Sequence, residues 1–182
     1  SGLDTYANLR SVTLLPAVQS SLRDPGPIDY VIVRENTEGL YASRGNGVGN
    51  SWAMADTMMI TREGTLRVAR RAFELARQRG GAPSDGVTRV TCVDKSNVLR
   101  SYVLVVENFV GDFLSDLGGA TVGGIALCPS GNIGDRCAYF EPIHGSAPDL
   151  AGQGLANPMA TVLSAAMLLR HSLGLDAAAA RI

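Results

Sequence analysis

The chain has 182 residues, of which 46% are hydrophobic and 18% charged, a balance that provides a buried core and excludes an intrinsically disordered protein. Its formal net charge of -1 argues against a broad nucleic-acid-binding surface, because contacts with phosphates need clustered Lys and Arg. We therefore expect one ordinary domain or two small lobes, with no nucleic acid among the partners.

The cysteines and the apolar stretches indicate where such a protein works. Cys92, Cys128 and Cys137 form no CxxC pair, so neither a disulfide framework nor a zinc site is predicted, and a reducing compartment is expected. The longest apolar stretch, residues 159–169, is too short to span a bilayer, and no signal peptide opens the sequence. We expect a cytoplasmic protein with no membrane partner.

Near-continuous apolar runs at residues 30–33, 90–93 and 102–106 predict strands that helices cover on both faces. Between the first two runs, a helical pattern begins after Thr61, which can cap it, and ends at Gly80 and Gly81. The residues expected to line its apolar face are Leu66, Ala69, Phe73 and Ala76. The order strand–helix–strand predicts an α/β fold.

Two further segments can be interpreted from their pattern. Gly45, Gly47 and Gly49 form GxGxG, which differs from the GxGxxG of a dinucleotide-binding turn, so a flexible hairpin tip is the better interpretation. From Pro158 to about residue 173 the pattern is helical and apolar nearly all round. Such a helix is expected to be buried within the protein or in a subunit interface.

Asp112 and Asp116 are separated by one helical turn, which places both carboxylates on one face of a helix. Like charges repel there, and a hard divalent cation with oxygen ligands would compensate them. Two solvated acids are the alternative, and the spacing alone leaves both open.

Other polar residues follow the apolar runs. Lys95 comes directly after a predicted strand, where a Lys beside a metal can act as a base or proton carrier. Arg34 and Tyr41 follow another strand, and their side chains could pair with a carboxylate and donate a proton, respectively. Arg10 is a second candidate for carboxylate binding.

Taken in order, the stretches LDTYANLR, DYVIVRENTEGLY, VDKSNV, NFVGDFLSD, PSGNIGD and FEPIHGSAPDLAGQGLANPMATVLSAAMLL resemble the isocitrate/isopropylmalate dehydrogenase family of β-decarboxylating dehydrogenases. Its members act on isocitrate, isopropylmalate, homoisocitrate or tartrate/malate. The resemblance implies a two-lobed, non-Rossmann α/β fold, here incomplete. Residues 9–123 would form the smaller substrate, metal and dimerisation lobe, and residues 1–8 and 124–182 part of the larger NAD-binding lobe.

The resemblance also implies roles for individual residues. Arg10 and Arg34 would bind the carboxylates of a 2-hydroxy acid, and Asp112 and Asp116 would hold Mg²⁺ or Mn²⁺. Tyr41 and Lys95 would handle protons, the latter across a homodimer interface. The residues implied in NAD binding are Asn97, Glu141, His144, Gly145, Ser146, Ala147, Asp149 and Asn157. Asp149 would favour NAD over NADP, because a carboxylate accepts hydrogen bonds from the ribose diol and repels a 2′-phosphate.

The sequence departs from the family pattern after Leu99, where several dozen residues with a third metal-binding aspartate are expected. N-terminal elements with another substrate Arg, and the last helices, have no counterpart either. We therefore expect little or no turnover from this chain. A non-catalytic paralogue, an interaction subunit or an inactive fragment is the alternative. The motif RENTEGLY favours the isocitrate, homoisocitrate or tartrate types over isopropylmalate, although the substrate stays open.

Overall fold

The computed structural model describes residues 3–93 and 108–182, and these form the expected mixed α/β fold. The strands are β1 (Ala7–Thr13), β2 (Asp29–Glu35), β3 (Val48–Gly49), β4 (Met54–Ala55), β5 (Pro129–Ile133) and β6 (Ala138–Pro142). The helices are α1 (Arg62–Arg79), α2 (Asn108–Thr121), α3 (Met159–His171) and α4 (Asp176–Ala179). The predicted strand at residues 102–106 and the candidate site residues Lys95 and Asn97 lie outside the described residues.

The central sheet has the strand order β2-β1-β5-β6, and every pair of neighbours is antiparallel. Asn8 of β1 stands opposite Arg34 of β2 on one side and Asn132 of β5 on the other. The sheet thus joins segments from both predicted lobes, and the predicted boundary between residues 8 and 9 falls within β1. The division into lobes stays a prediction.

One face of the sheet carries the main hydrophobic core. Leu9 and Val33, which project from this face, pack with Val68 of α1 and Met167 of α3. Leu9 is fully buried, and burial of a leucine side chain stabilises a fold by roughly 1.5–3 kcal/mol. Helices α1 and α3 therefore cover this face.

The opposite face is polar along most of its length and carries α2. The helix approaches closely because Gly111 and Gly118 have no side chain where Arg34 and Val12 lie beneath. Successive residues of a strand point to opposite faces, so the alternation of Ala7–Thr13 separates the apolar core from this polar face. The candidate site is built on it.

Helix α1 begins and ends as predicted, but the prediction of its buried face was wrong. Thr61 accepts a hydrogen bond from the Gly64 amide, and Gly80 ends the helix in a left-handed conformation. Leu66 and Phe73, however, are 39% and 54% exposed. The buried residues are Gly64, Val68, Ala72 and Leu75. The absent side chain of Gly64 leaves the space that the Glu38 carboxylate occupies, so this side of the helix can lie close to Glu38.

The prediction of a strand at residues 90–93 was also wrong, since these residues are in no assigned strand. Val90 packs as a partly buried residue against the main core. Residues 90, 91 and 93 line an open groove of about 540 Å³ beside β2, together with α1 and α2. Their apolar character is thus explained by packing at the sheet edge without backbone pairing.

The helix predicted from Pro158 onward is present as α3, although only part of its surface is buried in this chain. Ala160, Ser164, Ala166 and Met167 are its buried residues. Val162 and Leu168 are 42% and 40% exposed, because the sheet covers one side of the helix only. Their burial in a subunit interface stays a prediction.

Among the described residues, no helix has the length and apolar character needed to cross a membrane.

A two-stranded hairpin is present, but the prediction that the GxGxG stretch forms its tip was wrong, because Gly45 and Gly47 precede the first strand. Gly49 lies in β3, which pairs with β4, and residues 50–53 make the tip. The Asn50 side chain accepts hydrogen bonds from the amides of Trp52 and Ala53 and so closes the turn.

The end of α3 makes the stability of the fold depend on pH. Burial, assisted by Arg71 and Arg170, lowers the pKa of His171 to about 4. The unfolded chain has the ordinary value of about 6.5 and binds more protons between these values, so stability falls as pH drops through this window. We expect a urea midpoint that decreases between about pH 7 and pH 5, and His171→Gln should flatten the decrease. A decrease that persists in full in His171→Gln would show that another group causes it.

Candidate active site

Two arginines from neighbouring strands converge on one carboxylate of α2. Arg34 Nη1 donates to Asp112 Oδ1 at 2.6 Å, and Arg10 Nη2 donates to the same oxygen at 3.4 Å. Arg10 Nη1 also lies 3.8 Å from Asp116 Oδ1. The candidate groups for substrate and metal therefore lie in one cluster, on the polar face of the sheet.

The beginning of α2 holds Arg34 in place. Both Nε, at 2.6 Å, and Nη2 of Arg34 donate to Asn108 Oδ1. The residue is 6% exposed, and its guanidinium lies 5.9 Å from the ring centroid of Tyr41. Tyr41 belongs to a short 3₁₀ helix (Leu40–Ser43) and is 42% exposed, so its hydroxyl can reach a ligand. The structure thus brings Tyr41 to the arginine cluster.

Arg10 has partners on two sides. Its Nε donates to Asn8 Oδ1 at 2.9 Å and its Nη1 to Ser115 Oγ at 3.2 Å. Burial, followed by repulsion from Arg34, lowers the pKa of Arg10 from its ordinary value. An anion between the two guanidiniums would relieve this repulsion, so the pair is suited to bind a carboxylate.

The two aspartates of α2 offer the kind of ligand that a hard divalent cation prefers. The side chains of Asp112 and Asp116 are 42% and 60% exposed and present carboxylate oxygens, which Mg²⁺ and Mn²⁺ prefer. Across residues 3–93 and 108–182, no group of three or more His, Cys, Asp or Glu residues could hold a metal. These two residues alone would supply only part of a coordination sphere, and their role in metal binding stays a prediction.

The residues expected to bind the cofactor follow β6. Glu141 lies in β6 and accepts a hydrogen bond from Asn132 at 3.3 Å, which connects it to the polar face. His144 Nδ1 lies 2.8 Å from the Gly145 carbonyl oxygen, and its buried Nε2 has no hydrogen-bond partner among the described residues. Asp149 lies exposed in the first turn of a 3₁₀ helix. The role of Glu141 and His144 in cofactor binding stays a prediction.

The remaining residues of this loop have local roles in the structure. Ala147 has a left-handed backbone with φ of 44°, an uncommon conformation for a residue other than glycine. Gly145 and Ser146 are exposed beside it. Asn157 accepts a hydrogen bond at 3.0 Å from the amide of Met159, the first residue of α3. The cofactor role of these residues stays a prediction.

Reasoning from the sequence missed the polar residues that support the arginines. They are buried, at most 2% exposed, and comprise Asn8, Asn108, Ser115, Ser130 and Asn132. A signal was present in Ala7–Thr13, where Asn8 and Arg10 alternate with apolar residues and must share a face. For Asn108 and Ser115 no signal was available, because their role depends on how α2 lies across the sheet.

The family model described as isocitrate/isopropylmalate dehydrogenase matches the chain in two segments, residues 1–104 and 100–182. The chain is 42% identical to the 3-isopropylmalate dehydrogenase of Corynebacterium glutamicum, over 93% of its own length and 61% of that protein. It is 41% identical to the 3-isopropylmalate/3-methylmalate dehydrogenase of Methanocaldococcus jannaschii, with the same coverage. It also resembles the crystal structure of an isocitrate dehydrogenase from Methylococcus capsulatus, with a TM-score of 0.81 and 32% identity, over 97% of this chain and 62% of that one.

These matches also bear on the length of the chain. It spans about 61% of the length of the curated relatives from Corynebacterium and Methanocaldococcus. The two segments matched by the family model meet at residues 100–104, within the region where the sequence indicates a missing stretch. With the family model matching throughout and relatives about 40% identical, the chain belongs to the isocitrate/isopropylmalate dehydrogenase family.

Proposed function

We propose that this chain carries the substrate- and metal-binding groups of a dehydrogenase that uses NAD and Mg²⁺ or Mn²⁺ to decarboxylate a small 2-hydroxy di- or tricarboxylic acid oxidatively. The observation that supports the proposal most strongly is the convergence of Arg10 and Arg34 on Asp112. Paired guanidiniums beside exposed carboxylates offer a site for an anion that is bound together with a divalent cation.

Each residue of the cluster has a role in this proposal. Arg10 and Arg34 bind carboxylates of the substrate, while Asp112 and Asp116 hold the cation. When bound, the cation lowers the pKa of the substrate hydroxyl and stabilises negative charge, and NAD accepts the hydride. Tyr41, next to Arg34, donates the proton that replaces the lost carboxyl group. Lys95, outside the described residues, is proposed as a second proton carrier.

The names of the relatives and the sequence motif point to different substrates. The curated relatives reported above are named isopropylmalate dehydrogenases, and the structural relative is named an isocitrate dehydrogenase. The RENTEGLY motif favours the isocitrate, homoisocitrate or tartrate types. Isocitrate and 3-isopropylmalate are therefore the first two substrates to compare, followed by homoisocitrate, tartrate and malate.

We also propose that the protein forms a homodimer. Phe113 and Leu117, one turn apart on α2, are each 66% exposed. Apolar side chains on the outer surface of a helix are suited to pack against a second copy of the chain. This is the helix that carries Asp112 and Asp116, so dimerisation would take place next to the metal-binding groups.

A second candidate is a ligand-binding fragment or a paralogue without turnover. It is favoured because the described residues supply two carboxylates and no cluster of three metal-binding side chains. Such a protein would still bind Mn²⁺ and substrate, although more weakly than a complete site.

Titration calorimetry and NADH absorbance together test these alternatives. We expect this chain to bind Mn²⁺ and one of the hydroxy acids, yet to form little or no NADH. Rapid NADH formation would contradict the expectation of an incomplete catalyst and support the dehydrogenase. Failure to bind Mn²⁺ and every hydroxy acid would contradict the proposed site. Unchanged hydroxy-acid affinity after Arg10→Met would show that the acid binds elsewhere.

A further inference from the structure

A continuous line of side-chain hydrogen bonds crosses the polar face of the sheet from Arg10 to Glu141. Arg10 Nε donates to Asn8 Oδ1 at 2.9 Å, and Asn8 Nδ2 donates to Asn132 Oδ1 at 2.7 Å. Asn132 Nδ2 then donates to Glu141 Oε1 at 3.3 Å. Both asparagines are 2% exposed. The line passes from β1 through β5 to β6.

The two ends of this line determine the direction of every hydrogen bond in it. A guanidinium only donates, whereas an ionised carboxylate only accepts. Arg10 therefore requires the oxygen of Asn8 on its side, which turns the amide nitrogen of Asn8 towards Asn132. The same reasoning turns the nitrogen of Asn132 towards Glu141. All the donors consequently point from the cation to the anion.

Neighbouring groups agree with these amide orientations. Asn8 Nδ2 also donates to Ser130 Oγ at 2.9 Å. Asn36 Nδ2 donates to Asn132 Oδ1 at 3.2 Å, which supplies a second donor to that oxygen. Reversing either amide would place like groups together in a buried environment, where an unsatisfied polar group is costly.

We infer that Asn8 and Asn132 are positioning residues, which fix the guanidinium of Arg10 for a substrate carboxylate and connect it to Glu141 at the beginning of the loop proposed to bind NAD. The identity of the ligands rests on the proposed function, whereas the connection from Arg10 to Glu141 does not. Because Asn8 occupies the Nε edge, Arg10 presents its two Nη groups towards α2, where Asp112 and Ser115 lie.

The connection predicts energetic coupling between residues 8 and 141, which lie on β1 and β6 with β5 between them. Asn8→Asp keeps the acceptor for Arg10 but removes the donor to Asn132. The Asn132 amide then has to turn, and its oxygen faces the Glu141 carboxylate. Glu141→Gln should relieve this conflict, because glutamine can donate. In the presence of Asn8→Asp, we expect Glu141→Gln to raise the folding equilibrium constant about tenfold, measured by urea unfolding.

A third substitution separates this connection from simple charge repulsion through space. In an Asn132→Leu background the line of hydrogen bonds is broken, so the coupling between Asn8→Asp and Glu141→Gln should vanish. The inference would be overturned if the effects of Asn8→Asp and Glu141→Gln on stability were additive with asparagine at position 132. It would also be overturned if their coupling persisted with leucine at that position. Glu74→Gln, on α1 beyond the opposite face of the sheet, is the matched control and should show no coupling with Asn8→Asp.

An NMR measurement on variants of Glu141 and Glu74 tests the connection if the variants with buried substitutions do not fold. Glu141 is exposed, so Glu141→Ala should fold, and it removes the final acceptor. We expect the ¹H–¹⁵N signal of Arg10 Nε–H, assigned with Arg10→Lys, to shift in Glu141→Ala and to stay in place in Glu74→Ala. A signal that does not respond to Glu141→Ala would contradict the connection.

Ligand titration distinguishes this inference from the proposed function. With a positioning role, Asn8→Ala, which removes the acceptor of Arg10 Nε, should weaken isocitrate binding about tenfold, since one hydrogen bond to a charged group is lost. If the wild-type chain binds no hydroxy acid, the proposed function fails, while the coupling and the Arg10 signal still decide the inference. If isocitrate binds and Asn8→Ala leaves its affinity unchanged, the positioning role is wrong.

Discussion

Replacing Asp112 by asparagine is expected to change metal binding and anion binding in opposite directions. Mn²⁺ affinity should fall by at least about 100-fold, because one of two carboxylates next to a divalent cation loses its charge. In the absence of metal, isocitrate should bind more tightly than to the wild type. Asp112 Oδ1 accepts hydrogen bonds from both Arg34 and Arg10, so it competes with a substrate carboxylate for these groups.

Calorimetric titrations with Mn²⁺ alone and with isocitrate in the presence of a chelator measure the two effects separately. Asp85→Asn is the matched control, since Asp85 forms an exposed ion pair with Arg89 outside the cluster. It should alter neither affinity. Weaker isocitrate binding to metal-free Asp112→Asn would mean that Asp112 organises the arginines instead of competing for them. Unchanged Mn²⁺ affinity would place the cation elsewhere.

The opposite effects of Asp112→Asn on metal and anion binding follow from the hydrogen bonds of Asp112 with both arginines. The sequence predicts this arrangement only in part. The spacing of Asp112 and Asp116 correctly places both carboxylates on one helical face. The family resemblance assigns Arg10 and Arg34 to the substrate, and the structure brings them to these carboxylates. Their direct hydrogen bonds to Asp112 depend on how α2 crosses β1 and β2, which no local pattern specifies.

The remaining differences have a common physical origin. Reasoning from large apolar residues predicted the wrong face of α1, because small residues such as Gly64 and Ala72 form the contact surface there. It likewise assigned residues 90–93 to a strand, although their apolar side chains are explained by packing beside β2. The periodicity of apolar residues indicates which side chains prefer burial, whereas small residues decide where two elements can approach each other closely.

The buried asparagines illustrate a second limit. Asn8 and Asn132 are far apart in the sequence, and the hydrogen bond between them helps to stabilise each in the interior. A single polar residue in an apolar run could equally be solvated at a strand edge. Their hydrogen bond becomes predictable only when β1 and β5 are known to be neighbours with Asn8 opposite Asn132.

The contact of α2 with Arg34 leads to the last prediction, for Gly111→Ala. A Cβ atom at position 111 would lie 2.8 Å from Cγ and 3.1 Å from Cβ of Arg34, which is 6% exposed and held by Asn108. Overpacking of this kind costs roughly 1–3 kcal/mol. Replacing a helical glycine by alanine otherwise gains about 1 kcal/mol. Gly119→Ala on the same helix makes looser contacts, 3.3 Å from Cys128 Sγ and Ile125 Cγ2.

We therefore expect Gly111→Ala to be less stable than Gly119→Ala by about 1–3 kcal/mol in urea unfolding. Because the new methyl group displaces the guanidinium, isocitrate affinity should fall at least about tenfold in Gly111→Ala alone. Arg34→Ala removes the atoms that clash beyond Cβ, so the stability cost of Gly111→Ala should shrink in that background. Equal stabilities for the two glycine variants, or a cost that does not depend on residue 34, would show that α2 does not rest on Arg34. The glycine would then be a feature of the helix itself, and the close approach of α2 could not be what positions the arginine for its ligand.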